Sequence, residues 1–111
     1  MMNPVVELVT FELNSGVTEQ QMTAAVEKSQ LFVKHLPGFL YRSVCKHEET
    51  NTWSDIVYWQ SKEEAHSAAE AFCTSEQTKE LMTLINAETV KMQHNDVKIS
   101  FDCNGTCQAT A

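Results

Sequence analysis

Trp53-Ser54-Asp55-Ile56-Val57-Tyr58-Trp59-Gln60 runs directly into Ser61-Lys62-Glu63-Glu64-Ala65, so a strand and the opening of a helix stand back to back. Trp53, Asp55, Val57 and Trp59 alternate with Ser54, Ile56, Tyr58 and Gln60. Period two with β-branched and aromatic residues is the pattern of a strand. Ser61 and Glu64 have the spacing of a capping box, which launches a helix through Ala65, Ala68, Ala69 and Phe72. The small alanines let that helix lie close to a sheet.

Upstream, Phe39 to His47 reads as a second strand, joined to the first through the polar link Glu48-Glu49-Thr50-Asn51-Thr52, a hairpin signal. With Glu48 set opposite Thr52, Cys45 pairs with Asp55 and Tyr41 with Trp59. Before it, Thr18 and Gln21 form another capping box, and Met22, Ala25, Val26, Ser29, Val33 and Leu36 make a helical stripe. Pro37-Gly38 ends that helix. Val5 to Leu13 alternates as the opening strand, closed by Asn14-Ser15-Gly16.

Downstream, Thr74-Ser75-Glu76-Gln77 reads as a fresh helix start, so the second helical region breaks near Cys73. Val90 to Phe101 alternates loosely as one long last strand. The order β-α-β-β-α-β predicts an α+β, ferredoxin-like domain: a four-stranded antiparallel sheet with helices on one face. We expect residues 1–102 to form that domain and 103–111 a flexible C-terminal tail. The uncovered sheet face carries too many apolar residues to stay wet, which predicts a homodimer.

The chain has 111 residues, enough for one domain, and a formal net charge of -7 from 15 acidic and 8 basic residues. Arg42 is the only arginine and no basic cluster exists. This argues against nucleic acid and anionic membrane surfaces as partners. No signal-peptide pattern opens the chain, and no apolar run approaches the roughly 20 residues of a membrane span. Cys45, Cys73, Cys103 and Cys107 read as reduced thiols, and the expected location is cytoplasmic.

The stretch Trp53 to Ala65, with Leu36-Pro37-Gly38-Phe39 and Val90-Lys91-Met92-Gln93-His94, resembles the antibiotic biosynthesis monooxygenase domain family of the dimeric α+β barrel superfamily. The resemblance covers roughly residues 4 to 100. It implies two copies packed sheet against sheet, with a ligand pocket between each sheet and its own helices. It further implies either cofactor-free oxygenation of an apolar aromatic or quinol-like molecule, or haem degradation. Trp59 matches the pocket tryptophan of the haem-degrading relatives. Their first-strand asparagine is missing from Val5 to Leu13, and their ligating histidine falls near Ala69 rather than at His66. Haem degradation is therefore the weaker reading. Fold alone does not settle function, so a non-catalytic dimer that binds an apolar ligand, or is purely structural, stands as the alternative.

His66 and His94 are candidate general bases because imidazole titrates near neutrality. The bland reading of each is a solvated surface histidine. Asp55 shares a strand face with Trp53, Val57 and Trp59, where a desolvated carboxylate is a stronger base than in water. In the expected register Arg42 points to the other face, while Tyr41 and Cys45 join Trp59 and Asp55 as candidate substrate-binding residues. Each of these also reads as ordinary packing. Cofactor-free oxygenation needs only a base, aromatic walls and exclusion of water, so no cofactor and no metal is expected. Cys103-Asn104-Gly105-Thr106-Cys107 lacks the second ligand pair of a zinc site. No phosphate loop, zinc-protease helix or nucleophile elbow occurs.

Overall fold

The alternation of Val5 to Phe11 becomes strand β1 at the heart of the sheet (Val5–Phe11). A computed structural model describes residues 3–101 and the backbone of 107–109. After β1 come α1 (Glu19–Val33), β2 (Phe39–His47), β3 (Thr52–Trp59), α2 (Lys62–Phe72), α3 (Glu76–Leu84) and β4 (Lys91–Asp96). The four strands form an antiparallel sheet in the order β2-β3-β1-β4. The α+β ferredoxin-like prediction holds. Among the described residues no helix is long and apolar enough to cross a membrane.

The caps explain where the helices begin. Thr18 accepts from the Gln21 amide while the Gln21 side chain accepts from the Thr18 amide, the full reciprocal box. At α2 the Ser61 hydroxyl accepts from the Glu64 amide and donates to the Glu64 carboxylate, so that carboxylate meets the hydroxyl and not the backbone. The expected break at Cys73 is real: Cys73 caps α2 and Ser75 opens α3.

One face of the sheet holds the core. Phe11 and Trp53 pack with Met22, Ala25 and Leu81, and Val57 and Trp59 pack with Val33, Ala65 and Ala68. The other face carries Val6, Leu8, Ile56 and Tyr58, half-buried, with Tyr41 exposed.

Two expectations fail. The long last strand divides at Val97-Lys98. β4 stops at Asp96, while β5 (Ile99–Phe101) turns away to pair with β6 (Cys107–Ala109) in a separate two-stranded ribbon. Part of the expected tail is thus strand. Second, the β2-β3 register is displaced by one residue. His47 faces Thr52, so the loop spans 48–51, with Asn51 at a φ of 56° accommodating the tight return. A shift of one residue moves the β2 side chains from Tyr41 to His47 to the opposite face, while an irregularity between Phe39 and Tyr41 keeps Phe39 beside Trp59. Arg42 therefore joins the core face, while Tyr41 and Cys45 leave it.

Candidate active site

Between the sheet and its helices lies a cavity of about 290 Å³, walled by apolar side chains such as Val9, Val57, Phe72, Leu81 and Ile85. Trp59 also lines it, and three charged residues reach its wall: Glu7, Arg42 and Asp55. Small-molecule sites have this composition, apolar walls with a few convergent polar groups, and volumes from about 300 Å³ upward.

Asp55 comes to the cavity face through the alternation of β3, as expected. It is not a free base. Its Oδ1 accepts from Arg42 Nε at 3.0 Å and its Oδ2 from Nη2 at 2.8 Å. The remaining terminal nitrogen of Arg42 donates to Ser29 Oγ and Gln30 Oε1. The expected opposite-face placement of Arg42 was a consequence of the wrong hairpin register. With the observed register Val57 pairs with Arg42, and Val44 with Asp55, so the two ions are diagonal neighbours on one face.

Glu7 arrives by the alternation of β1, directly between Val57 of β3 and His94 of β4. It is only 8% exposed, and its Oε2 lies 2.8 Å from His94 Nε2. From α2, the exposed His66 brings its ring to 5.0 Å from that of His94, centre to centre, tilted by 60°. The fold thus brings His66 to His94, which the sequence left apart, and sets His94 behind an acid that sequence reasoning did not single out; the acid lines the cavity and the two histidines do not. The signal was available: Glu7 is the one charged residue in the apolar set Val5, Val9, Phe11.

Trp59 is 3% exposed, and its indole Nε1 has no hydrogen-bond partner. A buried donor left unpaired costs about 1–3 kcal/mol. Tyr41 and Cys45 do not belong to this cavity. Tyr41 is 58% exposed on the other sheet face, edge-on to Tyr58, and Cys45 is exposed beside Ser43. Among the described residues no three His, Cys, Asp or Glu side chains gather as a metal site. Cys103 and the side chain of Cys107 lie outside the described residues.

No family model and no curated protein matches the chain. Solved structures do. A single-site variant of SnoaB, a cofactor-independent oxygenase from Streptomyces nogalater, superposes with a TM-score of 0.69 at 13% identity, covering 86% of this chain and 94% of that one. A candidate antibiotic biosynthesis monooxygenase from Bordetella bronchiseptica gives 0.72 at 15% identity, covering 84% and 95%. Another, from Nitrosomonas europaea, gives 0.67 at 12% identity, covering 87% and 92%. Identities this low carry the fold and not the chemistry. The chain shares the fold of these structures.

Proposed function

We propose that this protein is a cofactor-independent oxygenase acting on a compact apolar aromatic or quinol-like molecule, and that it works as a homodimer. The observation that carries the reading is the apolar cavity with an acid, Glu7, in its wall and the ring of Trp59 among its lining. An activated methylene compound would lose a proton, and its carbanion would reduce dioxygen and recombine with it as a peroxide. Loss of water from the peroxide leaves a carbonyl, so one oxygen atom enters the product and the other leaves as water. The protein's share is to bind, to take the proton and to keep solvent away.

A second reading has its own support. The pairing of Asp55 with Arg42 neutralises a candidate base, as suits a site that binds an apolar ligand without converting it. Oxygen uptake, measured with anthrone and a panel of quinols, separates the two. Protein-dependent uptake that turns the anthrone methylene into the carbonyl of anthraquinone, with one oxygen atom from dioxygen, supports the oxygenase; tight binding with no uptake leaves the binding role.

A further inference from the structure

We infer that Glu7 is the proton acceptor of the cavity and His94 the residue that positions it, for a ligand whose anion delocalises onto an oxygen atom. The inference rests on the cavity being a small-molecule site and goes beyond it by naming the proton's destination. Two carboxylates reach the cavity wall, and they differ in what occupies them. Both oxygens of Asp55 are held by Arg42. Glu7 uses Oε2 alone, on His94. Among the described residues no hydrogen bond engages its Oε1. A base needs a lone pair for the substrate and a carboxylate held in place, and Glu7, on the cavity wall with one oxygen on His94, suits this better than Asp55.

The surroundings agree. Of the other charged groups on the cavity wall, Arg42 and Asp55 satisfy each other. His94 stands beside Glu7 across the β1-β4 ladder, and Asp96 follows two residues on, opposite Val5. His66 packs its ring on His94 from the α2 side and so restrains the imidazole. With Nε2–H donating to Oε2, His94 restrains the carboxylate and leaves Oε1 unengaged.

In the step itself, a C–H bond of the ligand breaks and its proton passes to Glu7 Oε1. The electron pair moves through the ligand onto its carbonyl oxygen, giving an enolate. In heavy water the proton on Glu7 is replaced from solvent, and a deuteron returns to the same carbon. No oxidant is consumed.

The test uses anthrone as probe, in deuterated buffer without oxygen, following loss of its methylene proton signal by NMR. Binding is followed separately by quenching of tryptophan fluorescence. The intact protein should accelerate the exchange. Glu7→Gln should lower the protein-dependent rate about 100-fold or more while anthrone still binds. His94→Phe should lower it several-fold, and His94→Gln, which keeps a donor, should recover part of the loss. A bound anthrone that does not exchange, or Glu7→Gln exchanging at the rate of the parent, overturns the inference and leaves the ligand site standing. If Glu7→Gln does not fold, equal rates in His94→Phe and His94→Gln overturn the positioning role. Absence of anthrone binding removes the site and the inference together. Exchange without oxygen uptake in air keeps Glu7 as proton acceptor and removes the oxygenase.

Discussion

Arg42 grips Asp55 through two parallel hydrogen bonds, at 3.0 and 2.8 Å, with the arginine side chain 4% exposed and the aspartate 16%. Removing one partner from such a pair strands the other charge away from water, which costs more than the pair itself contributes. Asp55→Asn should therefore destabilise the fold by about 3 kcal/mol in urea unfolding. Replacing both partners, Arg42→Met with Asp55→Leu, should come much closer to the parent. A single variant as stable as the parent would show that the pair holds nothing in place.

The fate of Asp55 marks the boundary of what the sequence reveals. Element order, helix caps and the break at Cys73 were legible because each is written locally, in periodicity and capping residues. Arg42 was misplaced because a hairpin register depends on turn geometry, and polar residues 48–52 admit more than one loop length. One residue of displacement exchanged Tyr41 and Cys45 for Arg42 on the cavity face. The meeting of Glu7, His94 and His66 was illegible for a different reason. It joins β1 to the last strand of the main sheet and to α2, and only the closed sheet sets those distances.

Lys46 ties β2 to the start of α1 through Glu19. Its ammonium is held above the ordinary 10.5 chiefly by the hydrogen bond to Glu19, with Glu48 adding attraction and desolvation opposing. A lysine whose folded value is raised contributes fully below its unfolded value and loses that contribution as pH rises through the folded one. Lys46→Met should therefore lower the melting temperature slightly at neutral pH. The difference from the parent should shrink as pH rises past 10.5 and through the raised folded value. A gap that persists at the highest pH would assign the effect to lost packing of the lysine stem.

The sheet face turned from the helices presents Leu8, Ile56 and Tyr58 side by side, with Tyr41 at its edge. A second copy of the chain meets this face in the proposed homodimer. Ile56 sits at its centre, between Leu8 and Ser43 in the ladder, so Ile56→Lys places a charge where an isologous contact would bury it. Sedimentation equilibrium should give twice the 12.5 kDa subunit mass for the parent and a single subunit for the variant. A parent that sediments as a monomer at micromolar concentration removes the dimer.

Trp59 should separate recognition from packing. Its ring lies edge-on to Phe39 at 5.9 Å and 71°, and Val5 and Phe39 flank it in the sheet, so the body of the side chain is core. Its Nε1–H has no partner in that core. Trp59→Phe keeps an aromatic ring and deletes the unpaired donor. The relief of an unsatisfied group offsets the lost contact area, leaving stability within about 1 kcal/mol of the parent. Binding should respond according to the ligand's chemistry. Anthrone, whose carbonyl accepts a hydrogen bond, should lose about tenfold in affinity, the equivalent of about 1.4 kcal/mol. Anthracene has the same shape without an acceptor and should bind parent and variant alike. Calorimetric titration of both ligands into both proteins reads the difference directly. Equal losses for anthracene and anthrone would make Trp59 a wall of the cavity and nothing more, and the donor would have no part in choosing the ligand.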